Sequence, residues 1–96
     1  MGIDDLIKGK REDILRIAAK HGAYNVRIFG SFARRDAGPE SDVDFLVEME
    51  AGRSLFDMGG LLMDLQDLLG RKVDLGTARS LRPRIKERAI QEAVPL

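Results

Sequence analysis

The segment over residues 26–47 constrains this chain most, because it places a turn and two carboxylates on neighbouring predicted strands. A short apolar strand ends at Gly30 and Ser31, and a basic segment and a Gly/Pro-containing loop follow. The next predicted strand carries Asp42 and Asp44 at its start. A glycine–serine turn close to two carboxylates on one strand face is what phosphoryl or nucleotidyl transfer requires.

Length and composition limit the other possibilities. The chain has 96 residues, enough for one core, so residues 1–96 are predicted to form a single domain. Its 16 basic and 16 acidic residues give no net charge, which removes the electrostatic case for direct nucleic-acid binding. It has no cysteine and no apolar run long enough to cross a membrane, and we expect a cytoplasmic protein.

Hydrophobic periodicity predicts a small α/β (α+β) domain, with helices packed on a mixed sheet of three or more strands. Helices are predicted over residues 3–20, 31–35, 54–69 and from Pro83 onward, and strands over residues 25–29, 42–49 and 72–75. The first two strands are expected to be antiparallel, and the third parallel to the second. Gly59 and Gly60 leave open a later start of the second long helix, after a flexible segment over residues 50–60.

Three aspartates are the candidate metal ligands and catalytic acids. Asp42 and Asp44 lie one residue apart, so their side chains point to one face of the predicted strand. Two solvated acids at a strand edge would give the same pattern. Asp74, between two apolar residues of the third strand, makes that interpretation less natural. Three carboxylates from neighbouring strands suit Mg²⁺, a hard cation that takes oxygen ligands and retains waters for phosphates.

The turn supplies candidate phosphate-binding groups. Gly30 allows close approach of the backbone, and the N–H groups that open the short helix, with the Ser31 hydroxyl, could hold phosphate oxygens. An ordinary turn after a strand is the alternative. Arg34 lies one helical turn beyond Ser31 and could contact the same phosphate, and we prefer it to Arg35.

Other features have ordinary structural interpretations. The leucine-rich stripe of the helix over residues 54–69 is assigned to the core, although part of it could serve a partner interface. His21 is interpreted as a cation at a helix end or as an exposed ring. The basic residues between Arg79 and Arg88 are interpreted as a solvated face, with a docking surface for an acidic partner as the alternative.

The string GSFARRDAGPESDVDFLV resembles the signature of the DNA-polymerase-β-like nucleotidyltransferase superfamily, in which Gly-Ser and Asp-x-Asp stand ten residues apart. Most of the chain is similar to the minimal nucleotidyltransferases. These are typically antitoxins encoded beside a HEPN-domain ribonuclease toxin. Arg34 and Ser41 stand where this subgroup usually has Arg and Ser, whereas Arg35 stands where it often has Gly.

The resemblance implies a role for each matching residue. The implied Mg²⁺ ligands that bind the triphosphate are Asp42 and Asp44. The implied third carboxylate is Asp74, near the acceptor hydroxyl and able to assist its deprotonation. The implied nucleotide-binding residues are Gly30, Ser31, Arg34 and Ser41.

The resemblance also implies a reaction and a partner. The reaction would be transfer of AMP from ATP to a tyrosine of the HEPN toxin, within a hetero-oligomer of the two proteins. One alternative is an antitoxin that masks its toxin without catalysis. Another is nucleotidyl transfer to a small molecule, which the lack of room for an acceptor-binding domain disfavours.

Overall fold

Four helices and one four-stranded sheet make up the part of the chain that the computed structural model describes, which is residues 3–34, 38, 41–77, 79 and 83–96. The helices are α1 Ile3–Lys20, α2 Ser31–Arg34, α3 Leu55–Leu69 and α4 Pro83–Glu92, and the strands are β1 Ala23–Phe29, β2 Val43–Met49, β3 Val73–Thr77 and β4 Val94–Pro95. Arg35, Arg82 and most of the predicted loop over residues 36–40 lie outside the described residues.

The sheet is mixed, as predicted. Its strand order is β3-β2-β1-β4. Strand β1 runs antiparallel to both β2 and β4, and β2 runs parallel to β3. Because α3 connects β2 to β3, it is the crossover helix that a parallel pair requires. Because of this topology, the last residues of β1 and the first residues of β2 and β3 lie at the same end of the sheet.

One face of the sheet forms the core. Val43, Phe45 and Val47 alternate along β2 and are completely or almost completely buried. They belong to one hydrophobic cluster with Ile14 of α1 and Leu61 of α3. Burying side chains of this size stabilises the fold by about 1.5–3 kcal/mol each. The other residues of β2, including Asp44, therefore project from the opposite face, where α4 packs against β1.

The start of α3 agrees with the helix predicted over residues 54–69 and excludes the later start that the glycine pair had left open. The helix begins at Leu55 and runs through Gly59 and Gly60. Ser54 caps it by accepting a hydrogen bond from the Phe56 N–H, and the Asp57 side chain accepts one from the Ser54 N–H. This reciprocal capping offsets the low helix propensity of the glycines. Leu55 was predicted to be core but is 83% exposed, because it precedes the buried stripe.

His21 also departs from the prediction of an exposed ring. Its side chain is only 16% exposed, and the ring Nε2 donates a hydrogen bond of 2.7 Å to Asp64 Oδ2. The ring also lies against Gly60. His21 therefore fastens the end of α1 to the middle of α3. Hydrophobic periodicity relates residues that are close in sequence, so it does not predict a contact between His21 and Asp64.

Strand β4 was not predicted. Val94 pairs with Ile28 and Pro95 with Arg27 at the free edge of β1. Proline lacks an N–H donor, so it is tolerated only at such an edge. The Leu96 N–H continues the pairing by donating to the Val26 carbonyl at 3.1 Å. Helix α4 ends before this strand, at Glu92.

No helix among the described residues combines the length and the apolar character that crossing a bilayer requires.

Candidate active site

The turn after β1 depends on glycine. Gly30 has a positive φ of 73°, a conformation that L side chains rarely adopt. A Cβ atom at this position would also collide with the carboxylate of Asp44. Helix α2 starts at Ser31 and is anchored by the buried ring of Phe32. Its N–H groups therefore open beside Asp44, where an anion could approach.

Asp44 and Asp74 are direct neighbours across two strands. The parallel register of β2 and β3 pairs Asp44 with Asp74, and Val43 with Val73. The Asp74 carboxyl is close enough for its charge and a side-chain hydrogen bond to raise the pKa of Asp44. On the other side of β2, Asp44 pairs with Phe29, the last residue of β1 before the turn. The sheet therefore brings Asp44, Asp74 and the Gly30 turn together.

The environment of Asp44 favours its protonated form. The pKa of Asp44 is raised from its ordinary value of 3.8 to about 6, and burial is the largest cause. The Asp74 charge, the hydrogen bond to Asp74 and the Asp42 charge contribute to this rise, while the Arg34 guanidinium opposes it. Crowded carboxylates of this kind repel one another, and a bound cation would relieve the repulsion.

Asp42 lies just before β2. Its charge contributes to the raised pKa of Asp44, but its own carboxylate lies beside Lys72. Its Oδ2 is 3.8 Å from Lys72 Nζ. Within the described ranges, no three His, Cys, Asp or Glu side chains form a ready-made metal-binding group. The donors are all carboxylate oxygens, which suit Mg²⁺, and Asp44 and Asp74 are neighbours in the sheet. The residues thus fit a divalent cation once Asp42 turns away from Lys72.

Ser41 is held in a small turn before β2. Its hydroxyl accepts a hydrogen bond of 2.8 Å from the Gly38 N–H, and its own N–H donates to the Gly38 carbonyl at 3.1 Å. Arg71 donates to the carbonyls of Gly38 and Ser41 and lies over the Phe32 ring. The hydroxyl proton of Ser41 can still be donated to a ligand.

Sequence reasoning missed three residues around these acids. Arg71 braces the approach to β2, Lys72 lies beside Asp42, and Glu92 accepts a hydrogen bond of 3.0 Å from Arg34. The adjacent basic residues Arg71 and Lys72, just before the third strand, were an available signal. Nothing in the sequence linked Glu92 to Arg34, because the two residues lie far apart in the chain.

Comparison with known proteins agrees with this geometry. Residues 10–96 match the family described as the nucleotidyltransferase domain. The chain belongs to that family. It is a nucleotidyltransferase, and both the turn and the three aspartates lie within the matched residues.

Two relatives of this nucleotidyltransferase come from archaea. A candidate protein adenylyltransferase of Methanocaldococcus jannaschii is 42% identical over 84 residues, which cover 88% of this chain and 90% of the relative. The protein adenylyltransferase MntA of Thermococcus cleftensis is 37% identical over 75 residues, which cover 78% of this chain and 76% of that protein.

Two solved structures share the fold of this nucleotidyltransferase. A candidate minimal nucleotidyltransferase superposes with a TM-score of 0.89 at 44% identity, covering all of this chain and 97% of the other. A toxin–antitoxin complex with AMP-PNP contains a chain that superposes with a TM-score of 0.75 at 19% identity, covering 88% of this chain and 69% of the other. The second likeness is one of fold.

Proposed function

We propose that this nucleotidyltransferase transfers AMP from ATP to a tyrosine hydroxyl of a HEPN-domain ribonuclease toxin and so acts as its antitoxin. The observation that supports this proposal most directly is that Asp44 lies beside both Asp74 and the Gly30 turn. Protein acceptors fit the names of the two archaeal relatives, and a toxin partner fits the complex that shares the fold. We expect the reaction in the cytoplasm, where ATP is available.

Each group has a distinct part in the proposed reaction. The acceptor oxygen attacks the α-phosphorus, the new bond joins oxygen to phosphorus, and the bond to the β-phosphate oxygen breaks to release pyrophosphate. Asp74 takes the acceptor proton, since it lies on the edge strand β3 and is exposed to solvent. The N–H groups at the start of α2 and the Ser31 hydroxyl hold phosphate oxygens, with Arg34 and Ser41 as further donors.

Mg²⁺ is the expected cofactor, with Asp42, Asp44 and Asp74 as its ligands. When bound, it would neutralise the phosphate charge and stabilise the attacking and leaving oxygens of the displacement. The contribution of the chain is to hold its carboxylates together before the substrate arrives. The raised pKa of Asp44 reflects its burial first and the nearby carboxylates of Asp74 and Asp42 second.

The direct test uses the purified chain, its HEPN partner, ATP and Mg²⁺. We expect intact-mass analysis to show AMP on a partner tyrosine, with a parallel loss of ribonuclease activity. The variant with both Asp42→Asn and Asp44→Asn should bind the partner without neutralising it. Asp67→Asn is the matched control, since Asp67 is exposed on α3.

Two results would contradict this function. One is an unmodified partner after incubation with the wild-type chain. The other is full neutralisation by the double variant, which would identify an antitoxin that only masks its toxin. Modification of a small-molecule acceptor without any partner would instead support the remaining alternative.

A further inference from the structure

A cavity of about 490 Å³ lies between the Gly30 turn and α4. Because β1 and β3 flank β2 on opposite sides, this cavity and Asp74 lie on opposite sides of Asp44. We call it the α4 cavity. Its charged and turn-side lining residues are Phe29, Gly30, Arg34, Arg84, Arg88 and Glu92.

The α4 cavity is positively charged on a chain that is neutral as a whole. Of the residues that the structure describes, three guanidinium groups and one carboxylate line it, which together carry a net charge of +2. Glu92 accepts from Arg34 Nη1 at 3.0 Å through one oxygen and from Arg88 Nε at 3.2 Å through the other. No carboxylate of the described residues pairs with Arg84. Among the described residues, Glu92 therefore pairs with two of the three arginines that line the cavity.

Glu92 lies between Arg34 and Arg88 and accepts a hydrogen bond from each, as a bound anion would. A carboxylate that accepts from two arginines makes the contacts that two phosphate oxygens would make. Phosphate carries more charge and accepts more hydrogen bonds than a carboxylate, so it can compete for both guanidinium groups. Gly30, at the wall of the cavity, also touches Asp44, which connects the cavity directly to the reacting carboxylates.

We propose that the α4 cavity binds the pyrophosphate part of the nucleoside triphosphate, with Arg84 and Arg88 as phosphate ligands and Glu92 as the group that phosphate displaces. This inference rests on the proposed function and adds α4 to the phosphate-binding elements. In an in-line displacement, the leaving group departs opposite the acceptor. With Asp74 on the acceptor side, pyrophosphate departs towards the arginines, which stabilise its charge.

The test measures binding of inorganic pyrophosphate by calorimetry, with EDTA present so that no divalent cation contributes. We expect Arg84→Ala and Arg88→Ala each to weaken binding about tenfold, the effect of losing one charged contact. Glu92→Gln should tighten binding roughly threefold, because a competing charge is removed. AMP, which lacks the pyrophosphate group, should bind each variant as it binds the wild type.

Two matched variants control for the change of charge. Arg16→Ala removes an exposed arginine of α1 that pairs with Asp13, and Asp67→Asn removes an exposed carboxylate of α3, and both helices pack on the face of the sheet opposite the α4 cavity. Both should leave pyrophosphate affinity within about twofold of the wild type, since charges beyond about 10 Å are largely screened. Circular dichroism of all variants verifies that they are folded.

The two kinds of variant should change pyrophosphate affinity in opposite directions: Arg88→Ala should weaken binding and Glu92→Gln should tighten it. Wild-type affinity in folded Arg84→Ala and Arg88→Ala would overturn the inference, and so would weaker binding by Glu92→Gln. If these variants fail to alter pyrophosphate binding while AMP transfer to the partner proceeds, only this inference is wrong. If they alter binding as expected but no transfer occurs, the proposed function is wrong and the pyrophosphate site stands.

Discussion

Asp44 and Asp74 lie directly opposite each other in the parallel register of β2 and β3, and the Asp74 carboxyl raises the pKa of Asp44. Two like charges held this closely oppose folding, and burial of Asp44 increases the penalty. A protein that needed only stability would place an apolar or amide side chain here. The pair therefore indicates a functional constraint, which leads to predictions that separate stability from activity.

Replacing Asp44 by asparagine should stabilise the cation-free protein. The pKa of Asp44 is raised to about 6, so above that pH the folded state holds a disfavoured charge, and an amide removes it. We expect the melting temperature at pH 7.5 in EDTA to rise by about 5 °C. Below pH 3.8 the carboxyl is protonated in both the folded and unfolded states, so the gain should disappear. Calorimetry with Asp67→Asn as the control decides this, and an unchanged or lower melting temperature contradicts it.

Gly30→Ala should destabilise the fold more than Gly52→Ala does. Both glycines have positive φ, 73° and 87°, so both substitutions introduce backbone strain of about 1–3 kcal/mol. At Gly52 the added methyl group meets no atom within 4 Å, whereas at Gly30 it meets the Asp44 carboxylate. Urea unfolding should show an extra loss of about 1–3 kcal/mol at Gly30. That extra loss should shrink in an Asp44→Ala background, and an equal loss in both backgrounds would refute the contact.

The contribution of Asp64 to stability should depend on pH. The hydrogen bond from His21 holds the pKa of Asp64 below its ordinary value of 3.8. Asp64 therefore stabilises the fold above pH 3.8, and this stabilisation is lost as the pH falls through the lowered folded-state value. Asp64→Asn should be less stable than the wild type at pH 6, and the difference should narrow towards pH 3. A gap that stays constant over this range would contradict the prediction, and Asp67→Asn is again the control.

The glycine pair of α3 should respond differently at its two positions. Gly59→Ala adds a methyl group with no atom within 4 Å and should stabilise the helix by up to about 1 kcal/mol. At Gly60 the methyl would lie 2.8 Å from the His21 ring, so Gly60→Ala should lose that benefit and destabilise the protein. Thermal unfolding of both variants tests this difference. Equal stabilisation at both positions would show that the His21 ring does not pack there.

Local patterns predicted most of the fold. Apolar periodicity placed α1, α3 and α4. The crossover helix correctly indicated a parallel pair, and with it the mixed sheet. These predictions succeeded because each depended on residues close together in the chain.

The features that the sequence did not predict are contacts between residues that lie far apart in the chain. Strand β4 is two residues long and pairs only because the edge of β1 is free. The contacts His21–Asp64 and Arg34–Glu92 join residues from elements that the sequence does not align. For the candidate site, motif spacing identified the aspartates and the turn. The register that sets Asp44 against Asp74 required the folded sheet.

The central claim is that this chain transfers a nucleotide to a partner protein, and that the transfer requires Asp74. We would incubate the chain, Mg²⁺ and the HEPN partner with ATP radiolabelled at either the α-phosphate or the γ-phosphate. We predict that the α label becomes attached to the partner, that the γ label leaves as pyrophosphate, and that Asp74→Asn slows attachment by about 10²-fold or more while still binding ATP. Attachment of the γ label, or undiminished transfer by Asp74→Asn, would contradict it.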